Sequence, residues 1–308
     1  MQVFIVIVSI SNNKTILLTG ATGYLGGNVL KELVHNTTYK IIILKRSFSD
    51  TKRIIDCLGT VTYYNLDEVS LEEIFLENNI DIILHCATDY GRKSVDPMQV
   101  IEANLILPVK LLELGKNHGI TCFINTDTIL DKRINHYSLS KKQFKDWLFS
   151  YRESIACVNV TLEHFYGPFD DKTKFVSYIV NSLLEDVEKI DLTKGEQKRD
   201  FVFIEDVVNA FSKIIDSSAH LKKGFFEFEI GSDSMVAIKE LVLMIAEIMK
   251  NTKTALHFGA LPYRENEVME GLADVTAIKK LGWSAQYSLY DGLKKMIDQE
   301  LQEYNKNI

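Results

Sequence analysis

From residue 14 onward, short runs of consecutive apolar residues alternate with longer stretches whose apolar positions recur every three or four residues. The runs at 15–19 (TILLT), 39–44 (YKIIIL), 61–65, 81–86 (DIILHC), 121–125 (TCFIN) and 156–162 predict strands. The amphipathic stretches at 24–35, 71–78, 98–118 and 139–153 predict the helices between them. Strands that are apolar at successive positions are covered on both faces. The pattern therefore predicts an α/β fold, a Rossmann-type doubly wound parallel sheet. Pro108 falls inside the long 98–118 helix, where its missing N–H predicts a kink. Beyond residue 165 the pattern breaks into shorter pieces, with helices near 174–187, 205–217, 236–249 and 287–304. No repeat or low-complexity linker separates the two parts. The expected organisation is a larger domain over 14–165 and a smaller, interwoven C-terminal α/β lobe over 166–308, some of whose segments return to the first domain.

Composition narrows the class. A chain of 308 residues is long for one compact core, which agrees with a domain plus a lobe. Hydrophobic residues make up 46% and charged residues 25%, as in soluble globular proteins. The formal charge of −7 leaves no broad basic face and excludes nucleic acid as the main partner. The cysteines, Cys57, Cys86, Cys122 and Cys157, show no C-x-x-C spacing, and three fall in apolar strand runs. Buried reduced thiols are expected rather than disulfides or a metal site, which fits a cytoplasmic location. The apolar run at 3–10 (VFIVIVSI) is shorter than the roughly 20 residues a membrane span needs, and no basic segment precedes it. It is expected to be an extra edge strand or a poorly ordered extension, a secretory signal being the less favoured reading; no membrane partner is expected.

Between the first strand and the first helix stands T-G-A-T-G-Y-L-G, with Gly20, Gly23 and Gly26 at G-x-x-G-x-x-G spacing. Glycines there let backbone N–H groups and a helix N-terminus approach a pyrophosphate with no Cβ in the way, so the segment predicts a dinucleotide site. An NAD site places an acid about 20 residues further on, at the end of the second strand, to hold the ribose 2′-hydroxyl. This strand ends instead in Lys45, Arg46 and Ser47. Two cations and a hydroxyl suit a 2′-phosphate, so the expected cofactor is NADP(H).

Tyr137 and Lys141 are four residues apart and share one face if the segment is helical. A phenol near its usual pKa of about 10 is a poor proton shuttle at neutral pH, and a neighbouring ammonium would bring it toward the working range.

In this context the chain resembles the extended short-chain dehydrogenase/reductase family of nucleotide-sugar epimerases, dehydratases and ketoreductases. Beyond the glycine turn and Y-S-L-S-K, the resemblance is carried by His85-Cys-Ala87, Asn104, Tyr166-Gly-Pro168, Arg199-Asp-Phe-Val-Phe-Ile-Glu-Asp206, Arg264-Glu-Asn-Glu267 and Leu281-Gly-Trp283. More narrowly, Tyr90-Gly-Arg92, Leu162-Glu-His-Phe-Tyr-Gly167 and Gln197-Lys-Arg-Asp-Phe201 are similar to CDP-paratose and CDP-abequose synthases, which reduce the 4-keto group of a CDP-dideoxyhexulose with NADPH.

The resemblance implies a set of roles. Tyr137 would give a proton to the carbonyl oxygen, Lys141 would hold the nicotinamide ribose and tune Tyr137, and Thr126, or else Thr128, would hydrogen-bond the same oxygen. The dinucleotide would lie against Gly20, Thr22, Gly23, Tyr24, Leu25 and Gly26, then Lys45, Arg46 and Ser47. Asn65, Leu66, Cys86, Ala87, Thr88, Asn104 and His164 would complete its contacts. The substrate, a nucleotide-diphosphate sugar, would meet Tyr90, Arg92, Thr128 and His164, with Arg199 and Arg264 on the diphosphate and Glu267 on the nucleoside ribose. In the family's 4,6-dehydratases the stretch matching Thr126-Asp-Thr128 resembles Thr-Asp-Glu, so Thr128 stands where their base would be. A homodimer is implied through the helices at 98–118 and 139–153, although core packing explains the stripe Phe144, Trp147, Leu148 and Tyr151 equally well. The expected activity is NADPH-dependent 4-ketoreduction of a nucleotide-linked deoxyhexulose for bacterial surface polysaccharide such as lipopolysaccharide O-antigen or capsule. The alternatives are a 4-epimerase with bound NAD and a non-catalytic dinucleotide-binding regulator.

Overall fold

The first half of the chain alternates strand and helix. In order it forms β1 (Thr15–Thr19), α1 (Tyr24–Asn36), β2 (Lys40–Lys45), β3 (Thr62–Asn65), α2 (Leu71–Glu77) and β4 (Ile82–His85). Then come α3 (Pro97–Ile101), α4 (Leu107–Asn117), β5 (Cys122–Thr128), α5 (His136–Ser150) and β6 (Ala156–Leu162). The computed structural model describes residues 14–92, 96–265 and 267–306; the apolar run at 3–10 lies outside the described residues. Among these residues no helix is long and apolar enough to cross a membrane.

The later elements are shorter. They are β7 (His164–Tyr166), α6 (Phe175–Leu184), β8 (Lys189–Leu192), β9 (Lys198–Phe203), α7 (Ile204–Ser218) and β10 (Gly224–Ile230). β11 (Met235–Ala237), α8 (Ile238–Met249), β12 (Ala255–Phe258), β13 (Glu270–Gly271), α9 (Thr276–Lys279) and α10 (Leu289–Lys306) follow.

Seven strands form one sheet in the order β10-β6-β5-β4-β1-β2-β3, and every neighbouring pair is parallel. The Rossmann-type fold expected from the apolar runs is the fold the chain adopts. Successive strand residues serve opposite faces. Ile16, Leu18, Ile41, Ile43, Ile82 and Leu84 pack with Val29, Leu33, Phe211 and Ile214. Leu17, Ile42, Leu44, Ile83 and Phe123 pack on the other side with Phe75, Leu111, Phe144 and Leu148. That two-sided burial is why these runs lack polar alternation. From β1 the chain winds outward through β2 and β3, then returns to β4 and winds the other way. The strand order therefore reverses between β1 and β4, and the crevice outside their carboxyl ends is where such sheets bind ligands.

β10, from the second half, completes the far edge of this sheet beside β6. The remaining late strands build two small sheets: β9 with β7, β11 and β13, and β8 with β12. The Asp206 carboxylate accepts from the Gln286 and Tyr287 backbone N–H groups at 2.8 and 3.1 Å, and Trp283 Nε1 donates to the Asp206 carbonyl at 3.0 Å. The 199–206 and 281–283 motifs are thus joined as an anchor for the C-terminal segment.

Two differences from the sequence reading bear on the site. The 98–118 helix is three pieces, with a wide π turn at Glu102–Ile106 just before Pro108. Proline cannot donate to the carbonyl of residue 104 four positions back, and the backbone widens there. The helix expected at 139–153 begins three residues earlier, at His136. Asn135 caps it: its Oδ1 accepts from Ser138 N–H at 2.8 Å, and Ser138 Oγ accepts from Asn135 N–H at 3.3 Å. The early start places Tyr137 in the first turn.

The four cysteines are free thiols, and Cys57, Cys122 and Cys157 are buried. Of the apolar stripe on α5, Phe144 and Leu148 are fully buried, whereas Trp147 is 50% exposed. Core packing therefore accounts for only part of the stripe.

Candidate active site

The glycine turn follows β1. Gly20 has φ +73°, and a Cβ on it would fall 2.5 Å from Ala87 N, so both conformation and space require glycine. A Cβ on Gly26 would overlap the Gly20 carbonyl oxygen. Gly23 N–H donates to Gly20 O at 2.9 Å, and α1 then starts with neither a side-chain cap nor an acid in its first turn. Its leading N–H groups, around Thr22, Tyr24 and Leu25, are oriented for an anion. Opposite the turn, Cys86, Ala87 and Thr88 leave β4 half-buried. Thr19 Oγ1 ties the strand ends together, meeting His85 Nδ1 at 2.8 Å and accepting from Ala87 N–H at 3.2 Å.

At the end of β2 the predicted residues are paired with side chains of β3 and of the adjoining loops. Lys45 Nζ donates to Asn65 Oδ1 at 2.5 Å and lies 4.9 Å from the Tyr63 ring centre, and Leu66 N–H donates to the Lys45 carbonyl at 2.8 Å. The exposed Arg46 guanidinium stacks on Phe48 at 4.8 Å. Ser47 gives both its donors to Asp67: its N–H reaches Oδ1 at 2.8 Å, and its hydroxyl bonds Oδ2. These bonds hold the Asp67 carboxyl below its usual range. Asp67 was not among the expected residues. Its signal was available, because it sits two residues after Asn65, the register partner of Lys45.

Tyr137 and Lys141 sit on α5 against the end of β5. Lys141 is 1% exposed, and its Nζ has no hydrogen-bond partner among the described residues; burial pulls its ammonium down to about 8. His85 is fully buried nearby, and burial, reinforced by the Lys141 charge, keeps its imidazole neutral. Burial raises the Tyr137 phenol above its ordinary value, Tyr90 adds to this, and a hydrogen bond with Thr128 opposes it. The lowering expected from Lys141 is not found: the groups that oppose burial are Thr128 and Arg92. The Tyr90 and Tyr137 rings lie 4.9 Å apart.

The two threonines have different partners. Thr126 Oγ1 donates to the His85 carbonyl at 3.1 Å, whereas Thr128 Oγ1 accepts from the Leu130 N–H at 3.3 Å and its hydroxyl acts to lower the Tyr137 phenol. Between them the buried Asp127 is fully engaged. Oδ2 accepts from Lys142 Nζ and Asn159 Nδ2, both at 3.1 Å, and Oδ1 accepts from Thr128 N–H at 2.7 Å. Lys142 Nζ also reaches the Thr128 carbonyl at 2.6 Å. Lys142, next to the expected Lys141, was missed because its partner lies across the fold rather than along the helix.

Asn104, buried in the π turn, spends its amide on structure. It bonds the Asp89 N–H and carbonyl, each at 2.8 Å, and Ser140 Oγ at 3.1 Å. The side chain joins the loop after β4 to α5, one residue from Lys141.

On the substrate side, Arg92 donates to Thr173 Oγ1 at 2.6 Å and faces the Tyr90 ring. His164 Nδ1 lies 3.1 Å from Oε2 of the buried Glu163. Arg199 donates to Glu267 Oε1 at 2.5 Å, so these two expected residues are brought together, whereas Arg264 stands exposed. A cleft of about 80 Å³ opens beside Tyr137, lined by Tyr90, Gly91, Asp96, Pro97 and Val100 with Asn135 and His136. A broader open groove of about 1030 Å³ runs along α5 past Lys132, Arg133 and Lys145. It includes no residue of the glycine turn, so size does not mark the chemistry here. Among the described residues no cluster of His, Cys, Asp or Glu could hold a metal ion.

Turn, switch point and Tyr-Lys pair define a dinucleotide-dependent enzyme fold, and residues 16–231 match the NAD dependent epimerase/dehydratase family. The chain belongs to that family. It is 33% identical over 294 residues to CDP-abequose synthase from Salmonella muenchen, covering 92% of this chain and 97% of that one. A CDP-abequose synthase from Salmonella typhimurium is 29% identical over 293 residues, with the same coverage of 92% and 97%. Among solved structures, UDP-glucuronic acid 4-epimerase from Bacillus cereus, in complex with UDP-glucuronic acid and NAD, superposes with a TM-score of 0.82 at 21% identity, covering 94% of this chain and 100% of that one.

Proposed function

We propose that the protein reduces the 4-keto group of a nucleotide-linked deoxyhexulose with NADPH, giving a deoxysugar nucleotide for a surface polysaccharide. The observation that carries this reading is the state of Asp127 and Thr128. Elimination of water needs an acid and a base at these positions. Asp127 is locked by Lys142, Asn159 and the Thr128 amide, and Thr128 offers a hydroxyl that cannot act as a base near neutral pH. A carbonyl reduction needs only a proton donor and groups to hold the oxygen. A phenol raised by burial stays protonated and suits a donor.

The residues fit a dinucleotide. Gly20 and Gly26 form a cradle that a Cβ would fill, and the buried Lys141 ammonium lacks a partner among the described residues. The bound cofactor would supply the hydride. In the chain itself, Tyr137 delivers the proton to the carbonyl oxygen, Thr128 holds that phenol and the oxygen, and Lys141 orients the nicotinamide ribose. Arg199 and Arg264 take the diphosphate once Arg199 exchanges Glu267 for the ligand, leaving Glu267 to accept from the nucleoside ribose. The CDP-abequose synthase relatives support a CDP-linked substrate, and the α4 and α5 faces support a homodimer.

The test is NADPH oxidation with enzymatically generated 4-keto sugars on CDP, dTDP, UDP and GDP, with turnover expected on one of them. Incubation with CDP-glucose or dTDP-glucose plus NAD should leave the sugar intact; a product lighter by one water in the mass spectrum overturns the assignment. A second reading, a 4-epimerase retaining NAD, draws support from Asp67, an acid beside the ribose end. Tightly bound NAD released on denaturing the purified protein, together with C4 inversion and no net NADPH consumption, would decide for it.

A further inference from the structure

The end of β2 carries a device that the Lys45-Arg46-Ser47 motif alone does not show. We propose that Asp67 sets the cofactor preference by competing with a 2′-phosphate for the two donors of Ser47. The inference rests on the reading that this strand end holds the adenosine ribose.

Ser47 has one N–H and one O–H to give, and both already point at the two oxygens of a single carboxylate. A 2′-phosphate would seek the same donors. Placed beside Asp67 it would also meet a like charge. The cations do not remove the conflict: Lys45 Nζ is engaged with Asn65, and only the exposed Arg46, stacked on Phe48, can swing toward a phosphate. NADH meets no such obstacle. Its ribose 2′-hydroxyl is a donor, and a carboxylate has room for about four hydrogen bonds, so the hydroxyl can add to Asp67 without displacing Ser47. Asp67 therefore stands in for the acid that β2 lacks, supplied from the loop after β3. NADPH binding requires the Ser47–Asp67 pair to open, and the chain's preference for NADPH is smaller than its two cations would give.

The experiment compares the affinities of NADPH and NADH, measured by calorimetry on the full chain, for wild type, Asp67→Asn and Ser47→Ala. Asp67→Asn keeps an acceptor for the Ser47 turn and removes the charge. It is expected to raise the NADPH-to-NADH affinity ratio at least fivefold over wild type, with the melting temperature unchanged. Ser47→Ala is expected to weaken NADPH alone. An unchanged ratio in Asp67→Asn, or equal losses for both cofactors in either variant, overturns the proposal. The wild-type ratio by itself tests the NADPH reading. A wild type that favours NADH, with a variant that shifts toward NADPH, would end that reading and leave the role of Asp67 standing.

Discussion

On the proposed reading, the two ends of the cofactor crevice solve opposite problems. At the reaction end, polar groups are buried and partly unpaired: Lys141 Nζ and His85 Nε2 have no partner among the described residues. At the ribose end they are half-buried or exposed and satisfied by one another, through Lys45–Asn65 and Ser47–Asp67. Burying an ammonium without a partner is costly and survives only where the rest of the fold outweighs it. Such a group is poised for a ligand and acts as soon as one arrives. An exposed, self-paired group must first let go, so it discriminates between ligands rather than driving chemistry. Losses at the first end should therefore fall mainly on turnover, while the second end should show modest changes in preference.

The largest expected effect is at Tyr137. Replacing it with Phe removes the proton and leaves the ring against Tyr90, so turnover should fall by about 10²-fold or more with NADPH affinity nearly intact. Steady-state kinetics with calorimetry on the same sample checks both halves. A fully active variant would take the phenol out of the mechanism and make the reaction end no more special than any packed helix face.

Lys141 sharpens the contrast, because there function and stability should move in opposite directions. Its pKa falls from 10.5 to about 8, and burial is the main cause. The folded state thus binds fewer protons than the unfolded state between these values. Stability rises with pH across that window, and the penalty is fully present below about 8. The fall corresponds to roughly 3 kcal/mol of burial penalty near pH 7. Lys141→Met should reduce turnover, by less than Tyr137→Phe does, yet raise denaturant stability near neutral pH by up to that amount, with the gap to wild type closing as the pH approaches 10.5. A variant less stable than wild type at pH 7 would mean the ammonium holds the site together instead of straining it.

These two residues were legible in the sequence because the chain itself fixes their geometry: four residues along a helix is one face. The glycine turn was legible for the same reason, as was the sheet, whose strands are apolar on both faces. What was not legible depends on contacts across the fold. Asp127 and Lys142 meet between a strand and a helix, Ser47 meets Asp67 across two loops, and Arg199 meets Glu267 across a sequence separation of 68. Only the family resemblance suggested that last pair as site residues. The late strands were missed because most run two to four residues, as β7, β8, β11, β12 and β13 do, too short for a period to show.

The smallest effect expected lies where the two kinds of information meet, at Asn135. The polar segment 131–135 gave no periodic signal, so the start of α5 was placed late. The structure shows a reciprocal cap between Asn135 and Ser138 that begins the helix at His136 and fixes the turn bearing Tyr137. Losing an N-cap side chain costs about 1 kcal/mol. In a chain of this size that lowers the melting temperature by roughly 2–4 °C. The functional consequence is more selective. Asn135 also lines the cleft beside Tyr137, and fraying of the first turn moves the phenol but not Lys141, which lies a full turn further in. Asn135→Ala should therefore reduce turnover a few-fold while leaving cofactor affinity and the NADPH-to-NADH ratio unchanged, and Asn135→Asp, which restores the acceptor, should recover most of both losses. If Asn135→Ala instead weakens cofactor binding as much as turnover, the first turn is not a separate positioning element, and the two ends of the crevice are coupled through α5.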